Sequence, residues 1–450
     1  MRPDLAACYG QERLPRYTSY PTAPHFSAQV GAGSYAQWLG SIPRNAIASL
    51  YLHIPFCRTL CWYCGCHTRI VDAYEPIAAY LAALEQEIRL VADALPHRAT
   101  VGHIHWGGGT PTILAPDGFA GLMRLLSERF VLASDAEIAV EIDPRRMNRA
   151  RIEALAESGV TRASLGVQSF DPEVQRAINR VQSVAETAEV TAALRAAGIP
   201  DVNFDLIYGL PHQTAASCAA TVDEAVRLAP DRLAVFGYAH VPWMRKHQQK
   251  IDTATLPDAA ARLDQFTTIT ERLEAAGYRP IGLDHFAKPD DSLSRCLDQG
   301  RLRRNFQGYT ADQCSVLLGF GASALGLLPG GYLQNVSQIG EYRRLLAADA
   351  LPVQRGRRLS DDDRRRAAVI ERIMCDLAVD LDAIAATHGD DPGGFAGELA
   401  RLDELESSGV VRRDGRRIVV ADECRPLART VAAVFDAYLE PAGERHSRAI

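Results

Sequence analysis

The chain has 450 residues, of which 47% are hydrophobic and 23% are charged, and its formal net charge is −6. These values are typical of a globular protein with a large core, and the length favours two or three domains. The negative charge gives no reason to expect nucleic acid or an anionic membrane as a partner. No apolar run reaches the ~18 residues that span a bilayer, and the N-terminus lacks the apolar core of a signal peptide. We therefore expect a cytoplasmic protein.

Residues 1–45 are predicted to form an extended N-terminal arm. The segment around Arg16-Tyr-Thr-Ser-Tyr-Pro-Thr is too polar and too interrupted by proline to be a core element. From Ala46 onward, short β-rich runs alternate with longer amphipathic helical patterns. The predicted strands are 49–54, 102–106, 137–142, 162–168, 203–207 and 232–238, and the predicted helices between them are 77–95, 119–130, 149–158, 185–197 and 218–228.

Strands and helices that alternate at this interval indicate βαβ units on a parallel sheet. Six repeats predict an α/β fold in which residues 46–345 form an incomplete (β/α)6 barrel and its extension. An open, doubly wound sheet is the alternative. The extension contains one more predicted helix, 259–276, and a glycine-rich segment that begins at Leu318.

Residues 351–450 are predicted to form a separate, mostly helical C-terminal domain. A helical pattern at 402–408 is followed by a hairpin signal at Asp414-Gly415, which together resemble a winged helix. Many winged helices bind DNA, but this region holds 16 Arg and Lys against 19 Asp and Glu. That balance does not provide the basic patch that DNA binding requires, so we expect a lid or a packing role.

Four of the ten cysteines, Cys57, Cys61, Cys64 and Cys66, lie within ten residues directly after the first predicted strand. The spacing C-x3-C-x2-C lets three thiols turn onto one centre, and soft thiolates select iron–sulfur clusters, zinc or copper(I). With three ligands, a cubane cluster keeps one iron open for chemistry. The alternatives are that Cys66 is a fourth ligand, or that the site is structural zinc. Zinc sites usually use two separated cysteine pairs, and the sequence has no second pair.

Further candidate residues lie at the carboxyl ends of the predicted strands, where parallel α/β folds place catalytic groups. The stretch Trp106-Gly-Gly-Gly-Thr110 allows a ligand to approach the backbone closely, although a tight turn would use the same glycines. The carboxylates of Glu141-Ile-Asp143-Pro-Arg could bind an amine or ribose hydroxyls, although an acid at a strand end could instead cap the next helix. The remaining candidates are Gln168, Asp205 and Tyr238.

Two other groups of polar side chains have competing interpretations. Arg180 suits carboxylate recognition, with a surface salt bridge as the alternative. Asp205 lies inside an apolar run, so it must be paired or face a ligand, because an unpaired buried carboxylate is costly. His53, His103 and His105 could be ligands, but satisfied core histidines are the favoured interpretation.

The cysteine spacing, with Tyr63 directly before the last of the three cysteines, resembles the signature of the radical S-adenosylmethionine (radical SAM) superfamily. From about residue 12 to the end, the chain resembles one of its families, the oxygen-independent coproporphyrinogen III oxidases. The matching segments are Arg16-Tyr-Thr-Ser-Tyr-Pro-Thr, Cys64-Gly-Cys66, Asp284-His-Phe and Arg304-Asn-Phe-Gln-Gly-Tyr-Thr. The segment His67-Thr-Arg69 departs from the family pattern, which has more Asn and Lys there.

The resemblance implies one [4Fe-4S] cluster and two S-adenosylmethionine (SAM) molecules, and it assigns no catalytic residue beyond their sites. It implies Cys57, Cys61 and Cys64 as cluster ligands, with Cys66 a non-ligand near the second SAM. The first SAM would contact Tyr51, Gly108, Glu141 and Leu325. The second would contact Tyr63, Gly109, Thr110, Gln168, Arg180, Asp205 and Ala239.

The implied reaction starts when an electron from the cluster cleaves SAM to a 5′-deoxyadenosyl radical, which takes hydrogen from the β-carbon of a propionate. Loss of CO2 and of one further electron leaves a vinyl group, and two such steps convert coproporphyrinogen III to protoporphyrinogen IX. The resemblance also implies a flavodoxin or ferredoxin type of electron donor and a monomer. Four carboxylates need cationic or hydrogen-bonding partners, for which Arg16, Tyr17, Tyr20 and Arg304 are candidates.

Two other functions compete with this one. A haem chaperone of the same superfamily would bind haem without oxidising a porphyrinogen. Such chaperones usually lack the fourth cysteine and the full arm, so Cys66 and residues 16–23 favour the enzyme. A structural metal protein with a DNA-binding tail is disfavoured by the acidic balance of the C-terminal region.

Overall fold

The computed structural model of the chain describes residues 5, 8–10, 12–388 and 394–439. Its strands are β1 (Ile47–Ile54), β2 (Phe56–Cys57), β3 (Arg69–Ile70), β4 (Thr100–Gly108), β5 (Val131–Ile142), β6 (Arg162–Gln168), β7 (Asp201–Tyr208), β8 (Arg232–Gly237), β9 (Arg279–Ile281), β10 (His285–Ala287), β11 (Arg303–Asn305), β12 (Gly308–Thr310), β13 (Val316–Phe320), β14 (Leu325–Leu328), β15 (Gly331–Asn335), β16 (Val353–Arg358), β17 (Ala378–Asp380), β18 (Val411–Asp414) and β19 (Arg417–Val420).

The α-helices of the described residues are α1 (Ala32–Gly40), α2 (Glu75–Ala94), α3 (Pro116–Arg129), α4 (Arg149–Glu157), α5 (Pro172–Ala177), α6 (Val184–Ala196), α7 (Ala215–Arg227), α8 (Ala259–Ala275), α9 (Ser292–Asp298), α10 (Ile339–Leu346), α11 (Asp361–Asp376), α12 (Leu381–His388), α13 (Ala396–Arg401), α14 (Asp403–Ser407) and α15 (Ala428–Ala433). Short 3-10 helices occur at Ala23–His25, Pro111–Ile113, Pro144–Arg146, Lys246–Lys250, Thr253–Thr255 and Asp422–Leu427. Among these helices, none is both long and apolar enough to cross a bilayer.

One sheet of twelve strands organises the molecule, in the order β16-β15-β14-β13-β1-β4-β5-β6-β7-β8-β10-β9. The strands from β13 through β8 in this order are all parallel to their neighbours. The outer strands on both sides pair antiparallel. Because β16 and β9 remain as edges, the barrel is open. The predicted α/β class with an incomplete barrel is confirmed.

Hydrophobic patterning explains why these segments form these elements. Strand β1 is buried at every position after Ile47, as expected for a central parallel strand that is covered on both faces. Helix α2 buries apolar side chains at three- and four-residue spacing, including Ile77, Leu81, Leu84 and Ile88. These residues join one core cluster that runs through the sheet and its covering helices. The polar groups at the carboxyl edge of the sheet therefore stand on strands that are packed into a large core.

The chain after the large sheet forms a second core. Helix α11 packs with the small sheet β17-β19-β18, in which β18 and β19 form the hairpin predicted at Asp414-Gly415. The division of the chain into an arm, a barrel at 46–345 and a C-terminal domain at 351–450 stays a prediction. Strand β16 lies within the range expected for the C-terminal domain, but it pairs with β15 of the large sheet.

The N-terminal arm packs on this second core. Tyr17 and Tyr20 are buried in the same cluster as helices α11 and α15. The Tyr17 hydroxyl donates to Asp436 Oδ2 at 3.1 Å, and the amide N–H of Ala437 donates to the Tyr20 hydroxyl at 2.9 Å. The arm is therefore ordered by contacts with residues more than 400 positions away in the chain.

Candidate active site

The predicted site residues converge at the carboxyl edge of the parallel strands. A cavity of about 660 Å³ opens there, within the size range of small-molecule sites. Most of the predicted site residues line it, namely Cys57, Cys61, Tyr63, Cys64, Cys66, Gly108, Gly109, Thr110, Glu141, Gln168, Arg180, Asp205 and Ala239. Tyr238, also proposed from its place at a strand end, lines it as well.

The loop that carries the four cysteines is held by hydrogen bonds from distant segments. The N–H of Trp62 donates to Ile178 O at 2.9 Å, and Asn179 Nδ2 donates to Leu60 O at 2.8 Å. From the other side, His247 Nε2 donates to Cys64 O at 2.7 Å and Gln248 Nε2 donates to Tyr63 O at 2.9 Å. The loop is thus fixed by its neighbours.

Each of the three predicted ligand sulfurs has polar groups beside it. The hydroxyls of Thr68 and Thr110 lie 3.2 and 3.3 Å from Cys57 Sγ. Cys61 Sγ accepts from Arg180 Nη1 at 3.6 Å and from Arg145 Nη2 at 3.8 Å. The backbone N–H of residue 66 donates to Cys64 Sγ at 3.4 Å. Donors of this kind stabilise thiolates, the form that ligates metal.

The fourth cysteine differs from the other three in its surroundings. A hydrogen bond with the Cys66 thiol lowers the pKa of Cys64, whereas the same pairing raises the pKa of Cys66. In the described part of the chain, all ten cysteines are free thiols. The pair therefore favours Cys64 as the thiolate and Cys66 as its protonated neighbour.

The donor set suits an iron–sulfur cluster better than one metal ion. No group of three His, Cys, Asp or Glu side chains among the described residues is arranged to hold a single ion. In a cubane cluster, each thiolate binds a different iron, so its three ligands stand farther apart than the ligands of one ion. Three thiols on one loop, each beside a hydrogen-bond donor, supply the number of thiolate ligands that a cluster with one open iron needs.

The glycines after β4 bring backbone close to this loop. A Cβ on Gly109 would lie 2.6 Å from Phe56 O, and one on Gly107 would lie 2.8 Å from Glu141 Oε1. Gly108 has φ +112°, a conformation that side chains rarely adopt. The N–H groups of residues 109 and 110 donate to Ile54 O and Phe56 O, both at 2.9 Å. Only glycine permits this close approach of β4 to the cysteine loop.

Glu141 lies beside those glycines and faces the cavity. The N–H of Gly108 donates to Glu141 Oε2 at 3.2 Å, and His105 Nε2 lies 3.2 Å from Oε1. The carboxylate makes no hydrogen bond to the helix that follows β5, where Asp143 accepts from Arg145 N instead. The helix-cap alternative therefore holds for Asp143 and not for Glu141. His105 lines the cavity with Glu141.

Arg180 is buried beside the cysteine loop. Its Nη2 donates to Gly166 O at 2.5 Å and lies 3.5 Å from Asp143 Oδ1. Its Nε has no hydrogen-bond partner among the described residues. Burial opposes the charged guanidinium, but Tyr63, Asp143 and Cys61 outweigh it and raise the pKa of Arg180. The surface salt bridge proposed as the alternative is therefore wrong, because the side chain is 7% exposed.

Asp205 is a partnered, buried carboxylate on β7. Ser164 Oγ donates to its Oδ2 at 2.9 Å, and Asn203 Nδ2 donates to its Oδ1 at 2.9 Å. Burial, together with the nearby carboxylate of Glu141, raises the pKa of Asp205 to about 6. The expectation that this residue is paired is met. Asp205 also lines the cavity, and its role toward a ligand stays a prediction.

Two predicted SAM contacts do not line the cavity. Tyr51 lies behind Gly107, and its hydroxyl donates to His53 Nδ1 at 3.0 Å. His53 Nε2 donates in turn to His67 O at 3.0 Å, so His53 is a satisfied core histidine, and burial lowers its pKa to about 4. Leu325 lines a separate cavity that shares Thr310 with the first. The roles of Tyr51 and Leu325 stay predictions.

Several residues of the site had no predicted role. Arg145 contacts Cys61, and its place two residues after a strand-end carboxylate was a signal that could have pointed to it. His247 and Gln248 hold the cysteine loop from a 3-10 helix after β8, and no local pattern in the sequence distinguishes them. These contacts form only in the folded chain, where the segment after β8 meets the cysteine loop after β1.

Comparisons with known proteins agree with this geometry. Residues 51–225 match the radical SAM superfamily model. The chain is 58% identical over 450 residues to an oxygen-independent coproporphyrinogen III oxidase of Bradyrhizobium diazoefficiens, and all of both chains is covered. It is 43% identical over 442 residues to the protein of that name from Paracoccus denitrificans, with 97% of each chain covered.

A solved structure is similar over nearly the whole chain. It is the coproporphyrinogen III oxidase (HemN) of Escherichia coli, described as a radical SAM enzyme. The TM-score is 0.90 at 38% identity, covering 95% of this chain and 100% of the other.

Proposed function

This chain belongs to the family of oxygen-independent coproporphyrinogen III oxidases, and from that premise we propose how its thiol-lined cavity serves the reaction. The chain is a radical SAM oxidoreductase that converts coproporphyrinogen III to protoporphyrinogen IX without oxygen, in haem biosynthesis. The observation that carries this conclusion is that the C-x3-C-x2-C loop faces the same cavity as the strand-end residues.

The cofactors of this family are a [4Fe-4S] cluster and SAM. When bound, they supply a carbon-centred radical that removes hydrogen from the β-carbon of a propionate. Cys57, Cys61 and Cys64 would hold the cluster, because their sulfurs face the cavity and stand beside hydrogen-bond donors. Cys66 would lie next to them without ligating the cluster, with its backbone N–H donating to Cys64 Sγ.

The other residues of the cavity would bind and orient SAM. The Glu141 carboxylate, beside the backbone of residues 107–109, offers acceptors that suit an ammonium group. The unpartnered Nε of Arg180 suits a carboxylate. Asp205, with a pKa of about 6, is held by Ser164 and Asn203 and presents acceptors for hydroxyl groups. These groups are preorganised, so binding needs little rearrangement.

Four finer properties belong to this proposal. We propose two SAM molecules, the first near Glu141 and the second near Tyr63, Thr110 and Arg180, because all of these residues line one cavity of about 660 Å³. We also propose a monomer, a flavodoxin or ferredoxin type of electron donor, and a cytoplasmic location. The location is supported by the ten free thiols, which oxidising compartments do not favour.

One experiment tests the function. The cluster is reconstituted without oxygen, and 5′-deoxyadenosine is measured after dithionite and SAM are added. With coproporphyrinogen III, we expect CO2 and vinyl products. A fully loaded chain that forms no deoxyadenosine would contradict the radical SAM chemistry. Stable haem binding without any vinyl product would instead favour the haem chaperone, an alternative that the names of the relatives do not support.

A further inference from the structure

A second cavity adjoins the first. Its volume is about 470 Å³, and residues Arg16, Gly237, Tyr238, Ala239 and Val241 line both cavities. The two spaces are therefore separated only by the segment after β8 and by one arm residue. The two cavities are therefore close enough for two arms of one large ligand to occupy them together.

The second cavity is strongly cationic. Five arginines line it, which we call the arginine pocket: Arg13, Arg16, Arg262, Arg304 and Arg429. Asp284 is the single acidic side chain in its lining among the described residues. That carboxylate is already engaged, since His285 Nδ1 lies 2.8 Å from its Oδ1 and Arg304 Nη1 lies 3.7 Å from the same atom. The lining thus has a clear excess of positive charge.

The backbone holds several of these guanidinium groups in place. Arg262 Nη1 donates to Tyr238 O at 3.1 Å, and its guanidinium carbon lies 5.4 Å from the Tyr208 ring centre. Gly209 leaves the space for this side chain, because a Cβ there would collide with Arg262. Arg16 Nη2 donates to Gly237 O at 3.1 Å. Fixed guanidinium groups lose little freedom when they bind an anion.

Two of the arginines are buried as cations. Arg429 is 9% exposed, and the side chain of Arg304 is 5% exposed. Arg304 Nη1 makes no hydrogen bond with any described residue. Burial, and then the charge of Arg16, lower the pKa of Arg429 to about 10. A buried guanidinium N–H without a hydrogen bond, as at Arg304 Nη1, is suited to an anionic ligand.

We propose that the arginine pocket binds a propionate carboxylate of the porphyrinogen that is not reacting, while another propionate of the same molecule reaches the thiol-lined cavity. The proposal rests on the proposed function, which supplies a substrate with four carboxylates. Arginine is the residue best matched to a carboxylate, through two parallel N–H···O bonds. The pocket would thereby orient the macrocycle and leave the reacting side chain free.

The test compares Arg262→Gln with Arg272→Gln on the same helix, α8. Arg272 is 48% exposed and pairs with Asp223, away from the pocket, so it is a matched control. The probe is coproporphyrin III, the stable tetracarboxylate, titrated by fluorescence into the reconstituted protein. Charge-assisted hydrogen bonds predict a Kd for Arg262→Gln that is about tenfold higher. Arg272→Gln should bind like the unaltered chain.

Kinetics add a second measurement. We expect KM for coproporphyrinogen III to rise about tenfold in Arg262→Gln. Deoxyadenosine formation without substrate is measured alongside and should stay unchanged in Arg272→Gln, which distinguishes a change at the SAM site from a change at the pocket. Because Arg262 packs against Gly209, Arg13→Gln on the arm provides an independent variant, for which we expect the same direction of change.

Porphyrin affinities of Arg262→Gln and Arg13→Gln that both match Arg272→Gln would overturn the proposal. This outcome is distinct from a failure of the proposed function. An unaltered chain that forms deoxyadenosine but no vinyl product would contradict the function, whereas the pocket is judged by porphyrin affinity alone.

Discussion

The thiol-lined cavity and the arginine pocket share a wall but are assembled in opposite ways. The four thiols of the cavity come from one loop of ten residues after β1. The five arginines of the pocket come from the arm, from α8, from β11 and from α15, between residues 13 and 429. One site is local in sequence, and the other exists only in the folded chain.

This difference predicts which changes in the chain should damage each site. The cysteine loop carries all four thiols and is held by a few hydrogen bonds, so damage to the loop itself should abolish its function. The arginine pocket depends on how the arm and the C-terminal core dock, as shown by the bond from Arg429 Nη1 to Leu14 O at 3.2 Å. Changes there should weaken substrate binding but leave the cluster intact.

The largest expected effect is in the cysteine loop. Cys61→Ala removes the sulfur that faces Arg145 and Arg180, and with it one of three predicted ligands. We expect loss of the cluster and of all deoxyadenosine formation, measured by iron content and by product analysis. Cys8→Ala, at an exposed cysteine, is the control and should keep both. A Cys61→Ala protein with full iron content would refute the three-thiolate assignment.

The next largest effect is expected from a variant that distinguishes Cys66 from the three predicted cluster ligands. Cys66→Ser keeps a hydroxyl next to Cys64 and leaves the backbone N–H that donates to Cys64 Sγ. We therefore expect normal iron content but no vinyl product. Iron content and product are measured on the same preparation. Loss of iron in this variant would make Cys66 a ligand and would remove the distinction drawn from its raised pKa.

The local site was predictable from sequence, because its signals are spacing and strand ends. The six predicted strands and their helices appear within a few residues of their expected bounds, since their apolar periods are strong. Strand β13 (Val316–Phe320), a seventh parallel strand that pairs with β1, was not predicted. Its apolar run is short, and nothing near it indicates a partner so distant in the chain.

The arginine pocket could not be predicted as a unit. Arg16 and Arg304 were proposed as carboxylate partners, but Arg13, Arg262 and Arg429 carried no local signal. A surface salt bridge is the ordinary expectation for an arginine on an amphipathic helix such as α8. Only tertiary packing brings these side chains to one cavity.

A smaller effect, on stability, is expected from one acidic residue in each of the two sites. Burial and Glu141 raise the pKa of Asp205 to about 6, from its usual value of 3.8. The folded chain therefore disfavours the ionised carboxylate, and its stability falls as pH rises from about 4 to 6. Asp205→Asn should remove this loss, which corresponds to about 3 kcal/mol of unfolding free energy above pH 6. Denaturant unfolding of both chains across this pH range measures the difference.

Asp284→Asn is the matched variant for the arginine pocket. Burial alone would raise the pKa of Asp284, but Arg304, His285 and Arg16 outweigh it and hold the pKa well below its usual range. Ionised Asp284 thus contributes stability above its unfolded pKa, and this contribution disappears as pH falls. Asp284→Asn should be less stable than the unaltered chain at neutral pH, with the difference shrinking in acid. Equal pH slopes for the two variants would contradict the contrast between the sites.

The smallest effect is expected from a variant that tests whether the packing of the N-terminal arm on the C-terminal core determines substrate affinity. Tyr17→Phe removes the hydroxyl that donates to Asp436 at 3.1 Å and should lower the unfolding free energy by about 1 kcal/mol. Tyr278→Phe is the control, because its hydroxyl donates to Pro230 O at 2.6 Å within the barrel. Since Arg16 directly precedes Tyr17, only Tyr17→Phe should also raise KM for coproporphyrinogen III, by a few-fold. Iron content should be unchanged in both. If the two variants lost similar stability and neither changed KM, the arm would contribute to the stability of the fold without affecting the arginine pocket.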